Sequence, residues 1–296
     1  MTTSTAQRAP KVQARHAAEA AAARAGVSVD EIVEVADLKE AARLLAHIWS
    51  TGEDRPPVSS DLLRAFAHNG NYVAGAHDGD RIVGVSVGFL ALTDGSLKLH
   101  SHITGIAPDA QGRSIGFALK QHQRRWALER AVETVTWTFD PLVRRNAWFN
   151  LAKLGATITH YHPHFYGAME DGVNAGDESD RCVVEWGLTT IAAWRASEGT
   201  LPLAVTDALV AQGATAVLEA GTDGRPHLNG GGDGVRLCWV PDDIVVVRGR
   251  DTRAALEWRR ALRTAFTDAL DAGLAATAMT RDGWYVLTPA LPTREP

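Results

Sequence analysis

The sequence predicts an α/β (α+β) chain in which strands and helices alternate around a central sheet, with a smaller α/β domain at the C-terminal end. Three stretches carry that expectation. Tyr72 to His77 and Arg81 to Leu92 are apolar runs joined by Asp78-Gly79-Asp80, a hairpin signal. Thr104 to Gly116 reads as a strand end, a small-residue loop and a helix start. Leu256, Trp258, Ala261, Leu262, Ala265, Phe266, Ala269 and Leu270 recur at helical spacing before Gly273, and such a face needs a sheet or another helix to cover it. With 296 residues the chain is long enough for two domains, which commonly run ~100 to 200 residues each.

Taken in order, residues 1–29 hold strong helix formers but few large apolar side chains. They read as a flexible tail or docking helix with little to bury. Ile32 to Val35 reads as a strand. Asp37 is placed as the cap of a helix through Trp49, with Ala41, Leu44, Leu45 and Ile48 as its apolar stripe. After Arg55-Pro56-Pro57, Ser60 or Asp61 caps a short helix that ends at Asn69-Gly70-Asn71. The hairpin follows, then a strand over Leu97 to Ile106, and a long helix opened by Gln111 to Gly116 and running to about Arg130. In that helix Ile115, Leu119, Trp126 and Ala127 share one face, while Lys120, Gln123, Arg124 and Arg125 lie mostly elsewhere.

Val135, Trp137 and Phe139 alternate with threonines, which gives a strand with two different faces. A helix from about Arg144 to Leu154 stops at Gly155, and strands near Ile158 and Val183 close a domain spanning 30–190. The second domain, 200–296, has strands near Ala214 to Ala220, Leu237 to Val247, Ala275 and Trp284. The run Gly230-Gly231-Gly232 is not followed at once by a helix, so it reads as a loop rather than a phosphate cradle.

Thirty Lys plus Arg against 35 Asp plus Glu give a formal charge of −5, which leaves no basic field for nucleic acid. Cys182 and Cys238 are too few for a disulfide framework or a zinc motif, and read as reduced thiols in a cytoplasmic protein. Neither a signal peptide nor an apolar run of spanning length, ~18 residues, stands out, so no membrane partner is expected.

The most informative segment is Thr104-Gly-Ile-Ala-Pro-Asp-Ala-Gln-Gly-Arg-Ser-Ile-Gly116. A helix start offers unpaired N–H groups and a positive dipole end to an anion, and small residues let the anion approach the backbone. The segment resembles the signature of the GNAT acyltransferase superfamily, with Ile106, Pro108, Gln111 and Gly116 in place. Ser114 stands where the first glycine is usual. The downstream order resembles the family too, with Thr134 to Phe139 as fifth strand and Asn146 on the next helix. It is similar to a subgroup carrying Asp140-Pro-Leu-Val-Arg-Arg-Asn146 and Asp177-Glu-Ser-Asp-Arg181.

The resemblance implies a mixed, mostly antiparallel central sheet flanked by helices and an acetyl-CoA or other acyl-CoA co-substrate. By the same resemblance the pantetheine arm pairs against Thr104, Gly105 and Ile106, where the fourth and fifth strands splay. The pyrophosphate lies on the amides of Gln111, Gly112, Arg113, Ser114, Ile115 and Gly116, with Asn146 as a further cofactor contact, and a backbone N–H near Ile106 polarises the thioester. The implied reaction is N-acyl transfer to a small-molecule amine, with an amino acid as one example. Acetyl or a larger acyl such as succinyl is the group moved.

Transfer to an amine needs an acceptor for its proton and a donor for the leaving thiolate. His100 and His102, two apart on the fourth strand, are candidates for the base, with a normal pKa of ~6.5 that suits neutral pH. Asp140, at a strand end, is a candidate for gripping the acceptor's ammonium, alongside Asp177, Glu178 and Asp180. Leu151 occupies the place of the family's thiolate-protonating Tyr, which leaves Tyr161 or Tyr166 as substitutes. Arg144 and Arg145 are suited to a carboxylate on the acceptor or acyl chain, or to solvent. His160, His162 and His164 alternate as metal ligands can, but Pro163 interrupts the segment and acyl transfer requires no metal, so no metal is expected. A non-catalytic acyl-CoA-binding regulatory module and a metal-dependent hydrolase are the competing functions. The second domain is compatible with an acceptor pocket or a homodimer interface.

Overall fold

The computed structural model describes residues 5–52, 55–93, 95–167, 178–232 and 234–290. The chain divides into two units, Met1–Trp137 with Gly187–Thr190, and Thr138–Trp186 with Ile191–Pro296. Residues 138–186, read from the sequence as part of the first domain, belong to the second unit.

In the first unit, α1 (Thr5–Ala25) leads through Gly26 into β1 (Ser28–Glu31), and α2 (Val35–Trp49) follows. The strand lies earlier than the apolar run Ile32 to Val35 suggests. Ile32 is buried beyond its end, and its amide donates to the Val73 carbonyl at 2.9 Å. Helix α2 opens at Glu34, so Asp37 sits in the first turn, where a carboxylate favours the helix dipole, instead of capping it. In α3 (Ser60–His68) the cap is Ser59, whose hydroxyl accepts from the Leu62 amide.

Strands β2 (Tyr72–Asp78), β3 (Arg81–Thr93) and β4 (Ser96–Ile106) form the expected antiparallel meander, with β1 antiparallel on its outer edge. Helix α4 (Ile115–Glu129) leads to β5 (Thr134–Phe139), which pairs parallel with β4 at Leu99–Val135 and His100–Thr136. One sheet face is covered by α2 and α3 through Leu38, Ala41, Leu45 and Leu63 against Val73, Val85 and Val87. The other is covered by α4 and α1 through Ile115, Ala118 and Leu119 against Ala76 and Val83, joined by Ala21 and Ala25.

Of the two readings of the N-terminal segment, the described residues form a docking helix, and one that buries more than its lack of large apolar residues suggests. Ala14, Ala17, Ala18, Ala21 and Ala25 are buried along one stripe of α1, so the helix docks by close approach of small side chains rather than by large ones. As a result α4 is covered almost all round. Lys120, Gln121, His122, Gln123 and Arg124 are buried, where the periodicity had set Lys120, Gln123 and Arg124 mostly apart from the apolar face. Arg124 is satisfied by the Gln13 side chain at 2.6 Å and the Leu188 carbonyl at 2.9 Å.

The second unit holds α5 (Arg144–Trp148), which continues into a π-helical turn, Phe149–Lys153. Strands β6 (Thr157–His162) and β7 (Arg181–Gly187) follow, then short helices α6 (Ile191–Ser197) and α7 (Thr206–Ala211). Next come β8 (Thr215–Ala220), β9 (Pro226–Leu228), β10 (Arg236–Trp239), α8 (Ile244–Arg250), α9 (Thr252–Asp271), β11 (Leu274–Met279) and β12 (Trp284–Pro289). The sheet order is β7-β6-β11-β12-β10-β8-β9, so β11 and β12 extend the sheet begun by β6 and β7. Only β8 with β10 is parallel among its described pairings. The amphipathic α9 buries Trp258, Leu262, Ala265 and Phe266, the face read from the sequence. The valines after Ile244 form helix rather than strand, because Asp243 accepts from the Val245 and Val246 amides and nucleates a turn that outweighs β-branched propensity. Cys182 and Cys238 are both buried thiols.

Candidate active site

Strand β4 ends at Ile106, and a single 3-10 turn, Pro108–Ala110, delivers the chain to the start of α4. Gly112 has φ 83° and Ser114 φ 63°, so the loop turns through the left-handed region twice within three residues. That explains why a glycine suits position 114, since a Cβ in this conformation costs on the order of 1 kcal/mol. Ser114 caps α4 with its backbone only, its carbonyl accepting from the Phe117 and Ala118 amides. Among the described residues the amides of 112 to 116 have no acceptor. A Cβ added at Gly112 or Gly116 would meet nothing within 4 Å, so the loop has open space at both glycines.

The loop's one cation turns away. Arg113 pairs with Asp78 at 2.6 Å and donates to the Ala25 and Gly26 carbonyls, so its side chain braces α1. Ile115 is buried against the sheet and fixes the helix start. Upstream, Thr104 Oγ1 and Ser86 Oγ lie 2.8 Å apart. Gly105 is needed by packing, because a Cβ there would come within 2.7 Å of the Trp49 ring.

The β3–β4 register slips at Ser101–Ile103, a bulge of the kind that re-aims side chains next to functional sites. His102 is the extra residue of this slip and His100 lies just before it, their rings 6.3 Å apart and both near Phe89, at 5.0 Å for His100 and 6.0 Å for His102. His100 Nδ1 is 3.4 Å from Thr136 Oγ1. Burial, then the neighbouring His102 and Lys120, push the His100 pKa down, and burial does the same to His102. Both rings are therefore neutral at pH 7 and able to accept a proton.

The structure adds a residue that sequence reasoning missed. Lys120 Nζ is buried 2.8 Å from Ser101 Oγ and 3.1 Å from Gln123 Oε1, and 3.9 Å from the centre of the Trp137 ring. Those partners favour the ammonium, but burial opposes it more strongly and brings the pKa down to about 7. Its burial follows from the packing of α1 and the sheet around α4, which local periodicity does not encode.

In the second unit Asp140 is fully engaged. Its two oxygens take a bidentate pair from the buried Arg259 at 2.5 and 2.7 Å, and it also accepts from the Leu142 amide. Asn146 is exposed on α5, whereas Asn150, in the π-helical turn, is buried with its Nδ2 unpaired among the described residues. Leu151 is buried. Tyr166 is exposed, stacks edge-on with Phe165 and lies under the Arg181 guanidinium. The Tyr161 hydroxyl donates to Asp180 at 2.6 Å, and burial pushes its pKa far up, which removes it as a ready acid.

Glu178 and Asp180 converge on Arg263, which holds both carboxylates below the usual range against the effect of burial. Asp177 lies outside the described residues. His164, Glu178 and Asp180 offer atoms within 4.8 Å of one another, and both carboxylates are already paired with Arg263. The His160 and His162 rings stack 6.2 Å apart.

No family model matches the sequence, and no curated protein does. Solved structures with a similar trace include aminoglycoside 6′-acetyltransferase type Ii, at 17% identity and TM-score 0.44 over 55% of this chain and 98% of that one. The ribosomal-protein-S18-alanine N-acetyltransferase from Escherichia coli shows 17% identity and TM-score 0.41 over 55% and 95%. An acetyltransferase of the GNAT family from Streptococcus pneumoniae shows 16% and 0.43 over 54% and 97%. Each likeness covers about half of this chain. The mostly antiparallel mixed sheet flanked by helices, with β4 and β5 parallel around α4, is the architecture that the Thr104 to Gly116 motif implies. No described helix is long and apolar enough to cross a membrane.

Proposed function

We propose that this chain is an acyl-CoA-dependent N-acyltransferase of GNAT type, moving acetyl or a larger acyl such as succinyl from coenzyme A to the amine of a small metabolite. The observation that carries the reading is the start of α4, where the amides of 112 to 116 have no acceptor among the described residues and the Cα positions of Gly112 and Gly116 border open space. Five amides and a helix dipole suit a pyrophosphate without cationic side chains. The extended backbone Thr104 to Ile106 supports placement of the pantetheine arm, and a nearby N–H would stabilise the oxyanion by a few kcal/mol, roughly 3.

The amine attacks the thioester carbonyl directly, a tetrahedral intermediate forms, and collapse expels the thiolate. Neutral His100 accepts the amine proton, with His102 beside it and Lys120 behind the strand as a second basic group. In the second unit Asp140 is committed to Arg259, and Asn146 and Tyr166 are exposed.

Thiol release from acetyl-CoA and succinyl-CoA against an amino-acid and polyamine panel tests the reading. Turnover should fall ~10²-fold or more in His100→Ala, the usual range for a lost general base. Saturable thioester binding with no thiol release on any amine would instead favour the regulatory module, which the buried Leu151 at the expected acid position supports.

A further inference from the structure

The second unit contains a cleft that the proposed chemistry does not use. It measures about 570 Å³ and is lined by Arg144, Arg145, Trp148, Lys153, Asp242 and Arg281. Four cations face one carboxylate in a chain whose formal charge is −5, so the cleft is a local concentration of charge and not a sample of the surface.

The lining carboxylate is already committed, and Asp282 also attracts Arg144. Asp242 pairs with Arg144, whose guanidinium also donates to the Arg281 carbonyl. Arg144 lies flat on the β11–β12 turn at Gly283, where a Cβ would come within 2.6 Å of its Cζ. This guanidinium is therefore seated before any ligand arrives. Arg145, Lys153 and Arg281 make no ion pair among the described residues. Three uncompensated like charges around one cleft repel each other, and an anion relieves that cost. The Trp148 ring supplies a flat apolar wall, with the Arg281 guanidinium 5.7 Å from its centre.

We propose that this cleft binds a small polyanion, with at least two carboxylate or phosphate groups for the cations and a flat unsaturated part against Trp148. Its volume fits a metabolite-sized ligand, for which pockets of roughly 300 to 1,000 Å³ are usual. A phosphodiester polymer is not favoured, because the charge is confined to one cleft instead of running as a stripe. The proposal does not rest on the acyl-transfer reading, although Arg144 and Arg145 are also the pair the sequence offers for a carboxylate on the acceptor or acyl chain.

Calorimetric titration of the full chain with inorganic pyrophosphate, citrate and benzene-1,3-dicarboxylate tests it. Arg145, Lys153 and Arg281 are exposed, so Lys153→Gln and Arg281→Gln are surface changes that leave the fold intact. One anion should bind with one-to-one stoichiometry, weaken with added salt, and lose at least about tenfold in affinity in each variant, with acetyl-CoA affinity unchanged. Tighter binding of the flat dicarboxylate than of citrate identifies a carboxylate ligand, and preference for pyrophosphate a phosphate. Equal affinity in wild type and both variants, or no saturation by any of the three, overturns the proposal. So does one-for-one displacement of the anion by acetyl-CoA together with loss of both affinities in the variants, which would make the cleft part of the thioester site.

Discussion

Lys120→Met removes a buried amine while keeping a chain of similar length against Trp137. In the folded chain the Lys120 pKa falls from 10.5 to about 7 through burial, while the unfolded chain keeps the ordinary value. Between those two values the unfolded state binds more protons, so stability rises with pH, by roughly 1.4 kcal/mol per unit. The penalty is complete below the folded pKa and gone above the unfolded one. At pH 7 it amounts to several kcal/mol, on the order of 4. Loss of the Ser101 and Gln123 hydrogen bonds returns about 1 to 2 kcal/mol of that on substitution. The variant should therefore be more stable than wild type by about 2 kcal/mol at neutral pH. Urea unfolding of both proteins at about pH 7.5 and about pH 9 reads the effect, because other titrations cancel in the difference. The wild-type deficit should shrink by about 2 kcal/mol across that interval. A difference that stays flat with pH would mean that the amine remains charged in the fold, held by Trp137 and its two oxygens, and would refute the reasoning.

Asp140→Asn should destabilise by about 3 to 5 kcal/mol, since it leaves the buried Arg259 without its carboxylate; Asp140→Leu with Arg259→Met should recover most of that in urea unfolding. Ser114→Gly should raise stability by up to about 1 kcal/mol by relieving the left-handed conformation, and should leave thioester affinity within about twofold. Ala18→Glu places a charge in the buried stripe of α1, and limited proteolysis should then release residues 1–26 faster than in wild type. In the acyl-transfer assay, the rate should rise with pH along a limb whose midpoint lies below the ordinary His value of ~6.5, and His100→Ala should abolish that limb.

What the sequence made legible was local. The Asp78-Gly79-Asp80 hairpin, the α9 stripe and the strand–loop–helix at Thr104 to Gly116 each depend on residues within a turn or two of one another. The left-handed Ser114 even accounts for the one departure from the motif. What stayed hidden depends on distant partners. Asp140 reads as a free carboxylate until Arg259, 119 residues on, closes over it. Lys120 reads as lying off the apolar face of its helix until Ser101 of β4 and Trp137 of β5 close around it. The valines of α8 carry strand propensity, and a single capping aspartate decides against it. Sequence periodicity also suggests a domain break near 190–200, whereas β6 finds its partner in β11 through the Ile158–Ala276 pair.

The central claim is that the start of α4 holds the pyrophosphate of an acyl-CoA. Gly116→Glu tests it most directly. The added side chain meets open space and its carboxylate suits a helix N-terminus, so the fold should survive while the anion is repelled. Calorimetric titration of wild type and variant with acetyl-CoA, succinyl-CoA and free CoA should show saturable binding by wild type and none by a folded variant. Equal binding by the two proteins, or no binding of any of the three ligands to wild type, would contradict the account.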